Sequence, residues 1–142
     1  MKHGFFYDGS TKDLNVVEKY GWSEPEDKFT WSEEKVARLV FEYDPSGIKS
    51  DDTVLNFDFE PYIIRPMAAQ QTVAIYCNGR RCASRVLRFR ETVSVKVDPE
   101  MLKKGRMEFE FDFPEAVSPV EVGESGDERL LGVKMFSLYL SE

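Results

Sequence analysis

The sequence predicts an all-β protein, because three observations agree. Several short runs alternate polar with apolar residues, most clearly R-M-E-F-E-F-D-F at residues 106–113. Turn residues such as Asn78-Gly79 separate these runs at short intervals. No run keeps a helical period for more than about two turns. We therefore predict an antiparallel β-sandwich of jelly-roll type, with about eight strands and at most one short helical turn.

The first half of the chain supplies two strands of this sandwich. We expect one domain over residues 1–142, of which residues 1–19 form a poorly defined N-terminal segment without a clear period. An aromatic-rich loop at residues 20–32 then leads to a strand at residues 36–43. Alternation at residues 55–60 predicts a half-buried strand that ends at Pro61. The segment between Pro61 and Pro66 is predicted to form an edge or a corner.

The middle of the chain predicts a β-hairpin. The run Gln71–Cys77 alternates, with Val73, Ile75 and Cys77 expected to face the core. Asn78-Gly79 follows it and is the strongest hairpin signal in the sequence. In the returning strand the alternation slips between Arg85 and Leu87, which predicts a β-bulge there.

The C-terminal part predicts three strands and one helical turn. Residues 93–97 alternate, and Asp98-Pro99 then starts a short helix at residues 100–104 that Gly105 stops. The strand at residues 106–113 ends at Pro114, and a long polar return leads to a last strand at residues 130–140. If the phenylalanine-rich strand lies at a sheet edge, it could pair with a second chain.

Composition excludes several classes of function. Nineteen Lys and Arg stand against 26 Asp and Glu, so the formal charge is −7, which argues against a nucleic-acid partner. No apolar run approaches the length of a membrane-spanning helix, and we expect no membrane insertion. The few apolar residues before Asp8 are too short a run for a signal-peptide core, and we predict a cytoplasmic location. The oligomeric state is not predicted.

The two cysteines, Cys77 and Cys82, flank the predicted turn. A cross-strand disulfide is one interpretation, and a pair of small, reduced, inward-facing thiols is the favoured one, since we expect no export signal. Together with His3 they form no zinc-binding pattern, so we predict no metal and no cofactor.

Three motifs resemble a known family. They are G-W-S-E-P-E-D-K-F-T-W-S at residues 21–32, Q-T-V-A-I-Y-C-N-G-R-R at residues 71–81, and F-D-F-P-E-A-V-S-P-V-E-V-G-E-S-G-D-E-R-L-L-G-V at residues 111–133. In this order they resemble a jelly-roll, carbohydrate-binding-module-like domain of bacterial polysaccharide-biosynthesis proteins, often attached to glycosyltransferases. The resemblance covers residues 20–140. It implies a non-catalytic accessory domain in cell-surface glycan assembly.

Aromatic residues in the first loop are candidate ligand contacts. Tyr20, Trp22 and Trp31 could stack on the apolar face of sugar rings. Glu24 and Glu26 could accept hydrogen bonds from sugar hydroxyls. The alternative, which we favour, is that both tryptophans are buried and cover one open end of the sandwich.

A second candidate site is the polar loop before the last strand. Asp127 and Arg129 could bind a ligand, although we favour a structural role in which they order the loop. We expect Arg129 to be largely buried, with Glu24 or Glu26 as its partner. The loop also contains Gly123, Ser125 and Gly126.

A basic strip runs along the returning strand. It could bind phosphate or an acidic glycan. The favoured alternative is that it pairs across strands with an acidic face made of Glu108, Glu110 and Asp112. The strip consists of Arg80, Arg81, Arg85, Arg88 and Arg90.

These observations lead to three functional hypotheses. The first is a carbohydrate-binding accessory domain that binds a glycan or a partner protein. The second is a structural or oligomerisation module without a glycan ligand. A hydrolase is the least favoured, because no carboxylate lies in an apolar sequence context and no nucleophile or phosphate-loop motif is present.

Overall fold

The computed structural model describes residues 15–26, 28–47 and 52–141, and the first 14 residues of the predicted N-terminal segment lie outside this part. The predicted all-β fold class is confirmed, because the described residues form two antiparallel sheets of five and four strands and one short helix. The elements are β1 Asn15–Tyr20, β2 Thr30–Trp31, β3 Val36–Glu42, a 3₁₀ turn Pro45–Gly47, β4 Val54–Pro61, β5 Gln71–Cys77, β6 Arg80–Leu87, β7 Glu91–Lys96, α1 Pro99–Leu102, β8 Arg106–Asp112 and β9 Val133–Ser141.

The strands form two antiparallel sheets that pack face to face. The five-stranded sheet has the order β1-β3-β8-β5-β6, and the four-stranded sheet has the order β2-β9-β4-β7. Strands β1 and β2 lie in segments where the sequence pattern predicted no strand. They are short edge strands with mixed exposure, so neither shows a clear alternation of apolar and polar residues.

A cluster of phenylalanines fills the space between the sheets. Phe57 of β4 makes edge-to-face contacts with two rings of β8, Phe109 at 5.6 Å and Phe111 at 5.3 Å between ring centroids. All three rings are buried. Each buried ring stabilises the fold by roughly 1.5–3 kcal/mol through the removal of apolar surface from water. The alternation that predicted β4 and β8 thus has a direct cause, since every second residue faces this core.

Strand β8 is central, and the proposal of an edge strand that pairs across chains fails for it. Phe109 is paired with Leu39 of β3 on one side and with Cys77 of β5 on the other. Both sides of β8 are therefore hydrogen-bonded within the sheet. Alternation could not show this, because it reports which face of a strand is buried and not which strands are its neighbours.

The predicted hairpin is confirmed, but the predicted bulge is misplaced. Asn78 and Gly79 both have positive φ, +49° and +86°, as a two-residue type I′ turn requires. The register runs without a shift from Gln71 opposite Leu87 to Ile75 opposite Ala83, and the extra residue is Cys82. The sequence pattern placed the bulge wrongly because β6 is an exposed edge strand. The polarity of a side chain in such a strand does not show which face of the sheet it lies on.

The α-helix α1 forms where the sequence predicts it, but it begins one residue earlier and ends at Leu102. The Asp98 carboxylate accepts a hydrogen bond of 2.9 Å from the backbone N–H of Glu100, which caps the first turn. Gly105, with φ +72°, follows the helix and leads into β8. The predicted corner after Pro61 is a loop closed by a bridge between Ile64 and Ala68.

Candidate functional site

The outer face of the five-stranded sheet carries a cleft of about 800 Å³. Its size is within the range of small-molecule sites. We call it the outer cleft. It is lined by outward-facing residues of β1, β3, β8 and β5 and by the Asn78-Gly79 turn. Its central residues are Tyr20, Arg38, Tyr76, Glu108, Glu110 and Asp112.

Strand register aligns four of these residues in one row across the sheet. Tyr20 is paired with Arg38, Arg38 with Glu110, and Glu110 with Tyr76. Paired residues of antiparallel strands point to the same face of the sheet. The row therefore crosses β1, β3, β8 and β5 at right angles to the strands, with a tyrosine at each end. We call it the Tyr20–Tyr76 row.

The centre of the row combines opposite charges. Arg38 Nε lies 3.8 Å from Glu110 Oε1, and both side chains reach solvent. The pKa of Glu110 is raised, mainly by burial and then by its hydrogen bond to Asp112 and the charge of that residue, while Arg38 acts in the opposite direction. Asp112 Oδ1 is buried and has no hydrogen-bond partner within the described part of the chain. The cleft thus places donors and acceptors next to each other.

Arg106 and the carboxylates around it form a second charged group, at the end of the outer cleft near the Asn78-Gly79 turn. Arg106 Nη1 lies 3.1 Å from Glu42, and its Nη2 lies 3.7 Å from Glu18 and 3.8 Å from Glu108. The Asn78 side chain accepts a hydrogen bond of 3.0 Å from the backbone N–H of Glu108. Each exposed ion pair is worth little alone, but together these contacts hold the side chains in one arrangement.

This arrangement suits the binding of a polar ligand. Glu110 and Asp112 lie two residues apart on the outward face of β8, where burial and the neighbouring Asp112 raise the pKa of Glu110. The exposed ring of Tyr20 and the half-buried ring of Tyr76, with planar charged groups between them, can contact a molecule that has both apolar C–H faces and hydroxyl groups.

The predicted aromatic contacts are divided between the two sheets. Tyr20 is 59% exposed and lies in the outer cleft. Trp22 is 4% exposed, and its ring makes edge-to-face contacts with Phe111 and Phe113, so it belongs to the core and has no open face for a sugar. Glu24 is exposed and accepts a hydrogen bond of 2.9 Å from Lys19 Nζ.

Trp31 lies on the opposite sheet, in an aromatic cluster of its own. Its ring centroid is 5.7 Å from that of Phe29 and 5.8 Å from that of Tyr62. The Lys134 ammonium lies 4.6 Å from the centroid of Phe29 and 5.3 Å from that of Trp31. Trp31 is half-buried by these contacts, which fits the structural interpretation of this residue better than a ligand-binding one.

The 119–128 loop is held by Arg129. Its guanidinium contacts Asp127 at 2.8 Å, Glu26 at 2.7 Å and Glu33 at 3.7 Å. Glu26 is thus confirmed as a partner, whereas Glu24 is not. The side chain remains 34% exposed, so the prediction that it is largely buried was wrong. About one third of the Arg129 side chain is open to water at the surface of the sandwich.

Asp127 in this loop is paired with Arg129, which follows it. Hydrogen bonds from Arg129 lower the pKa of Asp127 and raise that of Arg129 itself. The backbone N–H of Asp127 also donates to Ser125 Oγ at 3.2 Å. Gly123 has φ +77°, a conformation that glycine adopts without strain. The arrangement favours the structural role for the candidates Gly123, Ser125, Gly126, Asp127 and Arg129.

The sequence predicted that the basic strip pairs with the acidic residues of β8. The structure shows that this prediction was wrong. Strand β5 lies between β6 and β8, and the β8 carboxylates face the outer cleft. Instead Arg90 binds Asp58 at 2.8 Å and Arg85 approaches Glu91 at 3.4 Å. Arg88 donates to Gln70 at 2.9 Å. Arg80 and Arg81 line a smaller pocket of about 170 Å³ next to both cysteines.

Both thiols are free, as the favoured interpretation held, but they differ in exposure. Cys77 faces the core and is paired with Arg80, whereas Cys82 is the exposed bulge residue. The expectation that both face inward was therefore wrong. Burial raises the pKa of Cys77 to about 12 and also raises that of Cys82.

Sequence reasoning proposed Tyr20 as a ligand contact but did not propose Arg38 or Tyr76, and it assigned Glu110 and Asp112 to charge pairing. All four occupy outward positions between buried neighbours, so their polarity looked like ordinary solvation of a strand face. The signal that could have found them is the alternation combined with the strand order, and the order cannot be read from a single sequence.

Within the described residues, no helix has the length and apolar character that a membrane span requires.

Comparisons with known proteins add little to this picture. No family model matches the chain, and no curated protein matches it in sequence. One solved structure similar in fold is a family GH115 4-O-methyl-α-glucuronidase with specificity for decorated arabinogalactans. It shows 13% identity and a TM-score of 0.49, over 96% of this chain and 17% of that chain. At that level no function is carried over.

Proposed function

We propose that the outer cleft binds carbohydrate and that the chain acts as a non-catalytic accessory domain. The observation that carries the proposal is the Tyr20–Tyr76 row. Tyrosine rings offer flat apolar surfaces for the C–H faces of sugars. Between them, Arg38 donates hydrogen bonds and Glu110 accepts them, which is the polar complement that sugar hydroxyls need.

The biological setting of the proposal rests on the sequence resemblance. The motifs at residues 21–32, 71–81 and 111–133 resemble a domain of polysaccharide-biosynthesis proteins that accompanies glycosyltransferases. We accordingly propose that the chain works beside a glycosyltransferase-type enzyme in the cytoplasm and holds the growing or acceptor glycan. The protein-interaction alternative loses the feature that motivated it, because β8 is central in its sheet.

A glycan array with three proteins tests the carbohydrate proposal. We expect the wild type to bind at least one class of glycan and Tyr20→Ala to lose most of that binding. The matched control is Phe89→Ala, which removes a 75% exposed aromatic ring outside the outer cleft. It should bind like the wild type. Absence of binding to every glycan, or equal loss in both variants, would contradict the proposal.

A further inference from the structure

The spacing of the two tyrosines suggests the form of the ligand. Tyr20 and Tyr76 stand on β1 and β5, with β3 and β8 between them, so they are separated by three strand spacings. At about 4.8 Å per spacing the two positions lie roughly 14 Å apart. A single sugar ring is too small to contact both tyrosines.

The aromatic rings of the cleft line up only across the strands. Along β1 the next outward residue is Glu18, and along β5 it is Ala74, which faces Asp112. Neither offers a ring. A ligand that ran parallel to the strands would therefore contact one tyrosine at most, while a ligand perpendicular to them can contact both.

The groups between the tyrosines favour uncharged sugars. Arg38 and Glu110 are adjacent and opposite in charge, at 3.8 Å. Arg106 is shared among Glu18, Glu42 and Glu108. A uronic acid would be attracted by Arg38 but repelled by Glu110 and Asp112. Hydroxyl groups both donate and accept, so neutral sugars can pair with both kinds of side chain.

We infer that the outer cleft takes a linear, neutral oligosaccharide lying across the strands, with separate sugar rings on Tyr20 and Tyr76. This inference rests on the proposed function and deepens it by naming the ligand class. It predicts that affinity grows with chain length until both tyrosines are occupied and then stops growing.

Titration calorimetry with length series tests the inference. The probes are linear β-1,4-linked glucose, xylose and mannose oligomers and α-1,4-linked glucose oligomers, from one sugar to six, with oligogalacturonides as the charged counterpart. In the series that binds, we expect affinity to rise at least tenfold over the first few sugars and then to level off. The uronic series should bind more weakly than the neutral one.

Variants at both ends of the row make the test specific. Tyr20→Ala and Tyr76→Ala should each lower the affinity for the longer oligomers by about tenfold, as expected for the loss of one aromatic contact. Tyr76→Phe, which keeps the ring, should retain most of the gain with length. Tyr76→Leu keeps an apolar side chain on the strand and replaces Tyr76→Ala in the test if the alanine variant does not fold. Phe89→Ala should follow the wild type at every length.

The outcomes separate the inference from the proposed function. Binding that does not depend on length, that survives the loss of Tyr76, or that prefers oligogalacturonides overturns the inference and leaves carbohydrate binding intact. No binding in any series, together with a negative glycan array, overturns both.

Discussion

Arg129 Nη1 lies 2.7 Å from Oε2 of Glu26, a contact between residues more than a hundred positions apart in the chain. The same guanidinium contacts Asp127, so one side chain ties the loop before β9 to the segment before β2. These contacts fix the loop next to the sandwich, and none of the three residues lines the outer cleft.

Removal of this guanidinium should destabilise the protein moderately. We expect Arg129→Ala to lower the free energy of unfolding by about 1–2 kcal/mol, because several charge-assisted hydrogen bonds are lost but one third of the side chain already meets water. Arg129→Lys should recover only part of this, since lysine lacks the planar fork. Urea unfolding measures both. The control Lys103→Ala removes an exposed ion pair with Glu100 and should change stability by less than about 0.5 kcal/mol.

The Arg129–Asp127 contact should also make the free energy of unfolding depend on pH. The pKa of Asp127 is lowered in the folded protein by hydrogen bonds from Arg129. A carboxyl group with a depressed folded pKa contributes stability above its unfolded pKa, near 4, and this contribution is lost as pH falls through the folded value. Asp127→Asn should therefore be less stable than the wild type at pH 7, and the gap should narrow below about pH 4. A gap that stays constant with pH would contradict this.

Trp22 should behave as a core residue. It is 4% exposed and packs edge-on against Phe111 and Phe113. We expect Trp22→Ala to cost about 3–5 kcal/mol of stability, which includes the cavity left behind. Trp22→Phe should cost less, because it refills part of the space. Thermal unfolding with near-ultraviolet circular dichroism measures this, and a change of less than about 1 kcal/mol for the alanine variant would show that the ring is not packed.

The two cysteines should differ sharply in reactivity. Burial raises the pKa of the Cys77 thiol to about 12, so little thiolate forms near neutral pH. Cys82 is exposed and should react with iodoacetamide first, although its pKa is also raised. Mass spectrometry of the folded protein after brief treatment at pH 8 should find one label, on Cys82. Equal labelling of both residues would show that Cys77 is accessible, and the Cys82→Ser variant should stay unlabelled until it unfolds.

The strands could be predicted because successive side chains of a strand point alternately to the core and to solvent, and the sequence alternates in polarity with them. Every large apolar residue at an odd position from Met107 to Phe113 faces the core, as its sequence pattern indicates. The neighbours of β8 were not predictable, since strand order depends on contacts between distant segments. The same limit explains the outer cleft. Its row joins Tyr20, Arg38, Tyr76 and Glu110, which are far apart in sequence and meet only through the register of four strands.

The candidate residues that sequence reasoning did find were mostly structural. Aromatic and charged residues in loops are conspicuous in a sequence, yet Trp22 and Arg129 pack or pair within the fold. Residues on a solvated strand face look unremarkable, although Arg38 and Tyr76 line the outer cleft. A local sequence pattern reports polarity, while a binding face depends on which polar residues are brought side by side.

The most direct test of the carbohydrate proposal is the location of a bound glycan. Nuclear magnetic resonance spectra of labelled protein should be recorded during titration with the glycan that binds best on the array. We predict the largest shift changes at backbone amides of Tyr20, Arg38, Tyr76 and Glu110, with little change at Trp31 or Arg129. Changes centred on Trp31 or on the 119–128 loop would contradict the assignment of the site. Saturable binding without any change on the five-stranded sheet would contradict it equally.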